Sequence, residues 1–252
     1  MSSLARQTGS GVVDKSIAIL DAVEGGARTL SDIVEETGLT RPTAHRLAAG
    51  LEGHGMLTRL GGRGYRLGPY LLRLATVAMR ELPLAELARP ALESLARVTG
   101  ETAQLFVRSG DRRVCVAAAE SSNELRTIVP AGASLPLTAG SAGKIFMAWA
   151  PDPDRDRLIG GAEQITGRTP TGERLLNQVD YARRRGWAQS VEERESGVAS
   201  VSAPVLDASG RLAAVVSVSG PVQRTGRTPG RSYAEAVKTA AREITVAVGG
   251  PQ

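Results

Sequence analysis

The sequence predicts an α+β protein in two parts. A winged helix-turn-helix comes first, and a larger domain with a mainly antiparallel sheet flanked by helices follows. Three observations predict this. Helical apolar stripes broken by glycine stops run through residues 12–55, and two short strand-like runs around a glycine-rich turn follow them. Beyond residue 83, hairpin-like pairs of apolar runs mix with helical stretches, which favours an antiparallel sheet. The third observation is charge. Residues 1–39 hold three basic residues against six acidic ones, whereas residues 40–66 hold Arg41, Arg46, Arg59, Arg63 and Arg66 against Glu52 alone.

Residues 1–11 are polar and glycine/serine-bearing and read as a flexible tail. A helix is expected from about Val13 to Glu24, burying Val13, Ile17, Leu20 and Val23, with Gly25-Gly26 as its stop. In TLSDIVEETG, Thr29 suits an N-cap and Asp32 stands three residues on, as in a capping box. Leu30, Ile33, Val34 and Thr37 then share a face. The third helix starts near Thr40 in GLTRPTAHRLAAGL. Pro42 is tolerated there because first-turn N–H groups lack intrahelical acceptors. MLTRL and YRLG read as the two strands of a wing. Together these read as a winged helix-turn-helix over 12–68.

A linker helix is expected over 69–82, ended by Pro83, and a second domain over 83–252. In that domain residues 84–99 read as a helix. AQLFVRSGDRRVCVAAAES reads as a hairpin, LRTIVP as a strand, and SAGKIFMAWA and ERLLNQVDYARRRG as helices. Two strands meet about DASG, and SYAEAVKTAAREITVAVGG forms a closing helix.

The bulk numbers restrict function. The chain has 252 residues, 42% of them hydrophobic and only 3% aromatic, so its cores are aliphatic. No apolar run approaches the roughly 20 residues needed to span a bilayer, and MSSLARQTGSG lacks a signal-peptide core. One cysteine, Cys115, allows no intrachain disulfide. These features fit a cytoplasmic protein with no membrane partner.

In a helix-turn-helix the second helix of the pair enters the DNA major groove, N-terminal residues first. Thr40, Arg41, Pro42, Thr43, His45 and Arg46 form that leading edge. Arg59 and Arg63 sit on the wing, with Arg63 at its tip within reach of backbone or minor groove. The expected partner is double-stranded operator DNA. A cationic three-helix packing module without DNA is the plainer alternative, and the agreement of caps, turn, wing and charge argues against it.

Enzyme chemistry finds little support in the second domain. The two histidines, His45 and His54, both lie in the first domain, which excludes a histidine-based triad and a His/Cys metal cluster in the second. GSAGKIF fails as a phosphate loop, because Thr138 stands where a glycine is needed and Ile145 replaces Ser/Thr. Glu192, Glu193 and Glu195 read as solvated charge. No metal or cofactor is expected.

A binding module reads better. Ser-Val-Ser occurs at 200–202 and 217–219 in adjacent strands, so Ser200 and Ser202 share one face and Ser217 and Ser219 share another. Inner-face hydroxyls must be hydrogen-bonded or wet, which suits a small polar cavity; a solvent-facing ladder is the alternative. GSAG opening a helix adds free N–H donors for an anion.

VVDKSIAILDAV, GLTRPTAHRLAAGLEGHG, YRLG, LPLTAGSAGK, RRRGWAQSVEERESGVASVSAPVLDASG and AAVVSVSGP resemble the IclR (isocitrate lyase regulator) family of bacterial transcription factors, over about Gly11 to Gly250. The resemblance implies a GAF-like effector domain and homodimers that pair as dimers of dimers. It also implies a small-molecule effector, such as a small carboxylate or an amino-acid-related metabolite. It assigns the effector pocket to Ala139, Gly140, Ser141, Ala142, Ser190, Ser200, Ser217 and Ser219. Two positions depart from the family pattern: Ser200 stands where many members have cysteine, and Ser190 where many have aspartate. Losing that acid makes the pocket less anionic. TRPTAHRLA and RRRGWAQSVEERESGVASVSAPV look most like an actinobacterial branch regulating amino-acid metabolism, including leucine biosynthesis. The expected function is thus a ligand-responsive repressor or other regulator of a metabolic operon. The alternative is an enzyme or metabolite-binding protein whose basic N-terminal module serves assembly.

Overall fold

The computed structural model describes residues 10–60, 63–81, 84–127 and 129–251, the side chains of 60, 63 and 78–81 excepted. The expected tail, except Ser10 and Gly11, and the Arg63 side chain therefore lie outside the described residues. The chain divides into two compact units, 1–82 and 83–252.

In the first unit, α1 (Gly11–Gly25), α2 (Leu30–Thr37) and α3 (Arg41–Gly53) precede a hairpin of β1 (Leu57–Leu60) and β2 (Arg63–Leu67). The capping box forms as the sequence predicts: Thr29 Oγ1 accepts from the Asp32 N–H, and Asp32 accepts from the Thr29 N–H. Gly38 ends α2 with φ 67°, a left-handed conformation that a side chain disfavours. Ile19, Val23, Ile33, Ala44, Leu47, Leu51 and Leu57 are among the core residues.

One expectation is corrected here. Val13 and Ile17 are exposed, while Ile19, Ala22 and Val23 are buried. The first turns of α1 run past the small core, so its apolar residues there have nothing of their own unit to cover them. Exposed Leu72, Leu74 and Val77 repeat this on α4 (Pro69–Glu81).

The second unit begins with α5 (Leu84–Thr99), β3 (Thr102–Ser109), β4 (Arg112–Ala119) and β5 (Ser134–Pro136). Then come α6 (Ser141–Trp149), α7 (Asp152–Gly160), α8 (Gly172–Arg185), β6 (Ala188–Val191), β7 (Val198–Leu206) and β8 (Leu212–Pro221). The short α9 (Val222–Thr225) and long α10 (Pro229–Ala247) close it. The strands form one antiparallel sheet in the order β5-β4-β3-β8-β7-β6. Period-2 alternation gives the sheet two interfaces. Leu105, Val201, Ala203, Val216 and Val218 pack against α5 and α10. Phe106, Cys115, Ala188 and Val215 pack with residues of α6 and α8.

LRTIVP forms no strand among its described residues. Pro130 has no N–H for a ladder, and the edge of β4 is taken by Ser134–Pro136 instead. Cys115 also exchanges backbone hydrogen bonds with Gly132 and Ala133, and Val129 is buried in the same core.

Candidate functional site

The first candidate surface is α3. Ala44, Leu47, Ala48 and Leu51 are buried, which turns Arg41, His45 and Arg46 outward. Thr40 and Pro42 are also exposed, and Thr43 is half-buried. The Thr40 hydroxyl donates to Thr43 Oγ1 at 2.9 Å, tying down the leading turn. Arg41 reaches the Ser31 hydroxyl on α2 at 3.3 Å. Arg59 is committed within its own unit. It pairs with Glu52 at 3.2 Å, donates to the Tyr65 hydroxyl at 2.8 Å, and lies over the Tyr65 ring. It braces the wing against α3 and is not a free cation.

The second candidate is a cavity on the α6 side of the sheet. Cross-strand partners share a face, so strand register decides what lines it. Ser190 pairs with Ser200, Ser200 with Ser219, and Ser219 with Thr102. In the next row, Ser202 pairs with Ser217, and Ser217 with Gln104. The serine face is therefore interior: Ser202 is 0% and Ser217 is 3% exposed. Gly140, Ser141, Ala142, Ser190, Ser200, Ser217 and Ser219 all line the cavity, whose free volume is about 40 Å³. Ala139 is buried behind them and turns its carbonyl to Arg113.

Ser141, the first residue of α6, fastens that helix to the sheet. Its hydroxyl lies 2.6 Å from that of Ser200 and 2.7 Å from that of Ser202. Ser202 donates to Ser217 Oγ, and Ser217 donates to the Val201 carbonyl. Each hydroxyl has one proton. If every link is kept, Ser141 must donate to Ser202 and Ser200 to Ser141. Ser200 then faces the cavity as an acceptor. Ser219 bonds to the Gln104 amide at 2.8 Å.

Sequence reasoning missed eight lining residues, Gln104, Phe106, Arg113 and Arg194 among them. Arg113 carries the largest consequence. It is 3% exposed, and its Nη1 donates to the carbonyls of Pro136 and Ala139. Its Nε is buried without a partner. Burial pulls its pKa down to about 9, with repulsion from Arg194 and Arg112 adding to the effect, so it stays charged at neutral pH. Gly140 has φ 87°, and a Cβ there would come within 3.2 Å of Arg113 Nη2. Glycine thus provides both the turn and the room for the guanidinium. The signal in the sequence was a strand-interior arginine one residue after another, but alternation alone does not say which of Arg112 and Arg113 points inward.

Glu193 is not solvated, contrary to expectation. Its carboxylate is buried against Lys144 Nζ at 2.5 Å, and Lys144 also donates to the Gln189 carbonyl. Burial presses the Lys144 pKa down, and Glu193 opposes that shift. Thr166 and Thr169 hold the Glu192 and Glu193 carbonyls. The acidic segment is therefore a fixed wall beside Ser190. Among the described residues no cluster of His, Cys, Asp or Glu is arranged to hold a metal, and no helix is long and apolar enough to cross a membrane.

An exposed cationic helix beside a hairpin in one unit, and an interior polar cavity in the other, define a ligand-responsive DNA-binding regulator. Comparison with known proteins agrees. Residues 12–61 match the IclR helix-turn-helix domain, and residues 76–246 match the bacterial transcriptional regulator IclR C-terminal domain. The chain belongs to the IclR family of bacterial transcriptional regulators, and the relatives it matches are regulators, not enzymes. It is 34% identical over 239 residues to the HTH-type transcriptional regulator BhcR of Paracoccus denitrificans, covering 92% of this chain and 85% of that protein. It is 33% identical over 240 residues to the glycerol operon regulatory protein of Streptomyces griseus, covering 94% of each. The crystal structure of an IclR transcriptional regulator from Silicibacter sp. TM1040 superposes with a TM-score of 0.84 at 26% identity. That match covers 96% of this chain and 97% of that one.

Proposed function

We propose that this protein is a repressor that grips a pseudo-palindromic operator as a homodimer and releases it when a small metabolite enters the serine-lined cavity. The observation that carries the DNA half is the division of α3, with Ala44, Leu47 and Leu51 inward and Arg41, His45 and Arg46 outward. Half-site symmetry then mirrors protein symmetry. The dimer reading is supported by apolar residues that their own unit leaves uncovered: Val12 is 61% exposed and Leu72 is 71% exposed. Pairing of dimers into tetramers follows the family pattern.

The ligand half rests on Gly140, Ser141, Ala142, Ser190, Ser200, Ser217 and Ser219 meeting at one cavity. A metabolite bound there shifts the population of the operator-competent arrangement. The motifs TRPTAHRLA and RRRGWAQSVEERESGVASVSAPV favour an operon of amino-acid metabolism, with leucine biosynthesis the leading case.

The deciding experiment is binding of the full chain to DNA upstream of its own gene, across a salt series, beside unrelated DNA. Salt-sensitive preference for the upstream fragment is expected. Binding to neither fragment at low salt overturns the operator reading.

A further inference from the structure

The cavity holds a buried guanidinium that pairs with no carboxylate of the described residues. Among the described residues, Arg113 takes part in no ion pair; its only acceptors are the Pro136 and Ala139 carbonyls, both through Nη1. Its Nε is an orphaned donor. Carbonyl dipoles do not neutralise a full charge, and a buried charge without a counter-ion is costly. The first turn of α6 begins beside it, at Gly140, with no side-chain cap on its N–H groups. Helix N-termini favour anions. The other charges lining the cavity are Arg194 and Glu195, and these pair with each other at 2.9 Å. Two guanidiniums thus stand against one carboxylate, leaving one net positive charge.

We propose that Arg113 is the charge anchor of the effector site and makes the effector a carboxylate: Arg113 and the opening turn of α6 hold the anionic group, and the serines hold the rest of the molecule. This rests on the regulator reading and deepens it, by naming the residue that sets ligand charge. Ser190, on the cavity wall, carries no carboxylate that could compete for Arg113. Ser200, as an acceptor, suits a ligand hydroxyl or amino donor.

The test compares carboxylates with their neutral amides on the full chain, by calorimetry and thermal shift. Acetate, glycolate, lactate and 2-hydroxyisovalerate serve as probes beside acetamide, glycolamide, lactamide and 2-hydroxyisovaleramide. At least one acid is expected to bind roughly tenfold or more tightly than its amide. Arg113→Gln should erase that preference, and Arg113→Lys should retain part of it. A merely structural Arg113 would leave the acid-to-amide ratio unchanged in the folded Gln variant. Equal binding of acids and amides, no acid response in the wild type, or an undiminished preference in Arg113→Gln overturns the proposal. Operator binding by the same preparations separates the two ideas. Operator binding without an acid preference removes the anchor alone. An Arg113-dependent acid preference without operator binding removes the regulator reading and leaves the anchor standing.

Discussion

Ser202 and Ser217 face each other across β7 and β8, and the Ser202 hydroxyl donates to that of Ser217 at 2.9 Å inside the sheet. A pair of buried serines is an expensive way to fill a core unless their remaining lone pairs have work. Ser217 lines the cavity, as does its near neighbour Ser219. Valine at both positions keeps β propensity and removes the hydroxyls, while adding about one methyl group at each site. The double variant Ser217→Val, Ser219→Val should keep operator affinity within about twofold and lose its response to metabolites, because the polar floor is gone. Gel-shift titration with and without a metabolite extract checks this. A response equal to wild type would place the ligand elsewhere.

Arg46 and Arg59 separate recognition from support. Arg46 is exposed on α3, whereas Arg59 is held by Glu52 and Tyr65. Arg46→Ala should lower operator affinity by about 1–3 kcal/mol if it reads a base, or flatten the salt dependence if it contacts phosphate. Fold and oligomer should be unchanged. Arg59→Ala should cost about 1 kcal/mol of stability in the first unit, and affect DNA binding only through the wing. Fluorescence anisotropy with labelled operator, beside thermal unfolding, compares the two. An unchanged affinity in Arg46→Ala would remove α3 as the recognition helix.

The parts of this architecture that rest on local signals were legible in the sequence. The Thr29–Asp32 capping box, the Gly38 turn and the DASG hairpin are fixed by residues a few positions apart. The shared face of Ser200 and Ser202 follows from alternation, but its inward direction depends on α6 and α8 covering that side. Gln104 and Arg113 reach the cavity only through pairing of β3 with β8 and of β4 with β5, which no local window shows. The helix α7 was hidden by composition. In DPDRDRLIG only Leu158 and Ile159 are buried, too few to make a stripe. The strand β6 has four residues, Ala-Gln-Ser-Val, and is defined by its partner β7 more than by propensity.

Lys144 and Glu193 pin the wall of the cavity to α6, and the strength of that pin can be read from two variants. Lys144→Met leaves a buried carboxylate whose Oε2 already lacks a partner. It should cost about 3–5 kcal/mol. Replacing both partners, Lys144→Met with Glu193→Leu, removes the stranded charge and should recover much of that loss. Urea unfolding of the two variants tests the argument. A double variant no more stable than Lys144→Met would mean that the pair contributes through geometry, by holding the Gln189 carbonyl and the 192–193 segment, more than through charge balance.

Asp32 should report the integrity of the capping box through its own titration. The Thr29 hydroxyl is the largest cause holding its carboxyl down, and the Arg28 and Thr29 N–H groups add to the effect, so its pKa falls from 3.8 to about 2. The folded value lies below the unfolded one. The cap's charge-dependent stabilisation is therefore complete above pH 3.8 and fades as pH falls through about 2. Carboxyl-carbon NMR of the wild type should place Asp32 near 2. In Thr29→Val its pKa should rise toward 3.8, because the leading hydrogen bond is lost while the backbone donors remain. Protection of the α2 amides should weaken in that variant even at neutral pH, while the α3 amides change less. A wild-type pKa near 3.8 would mean that the box is open in solution, and α2 would then owe its start to packing of Ile33 rather than to its cap.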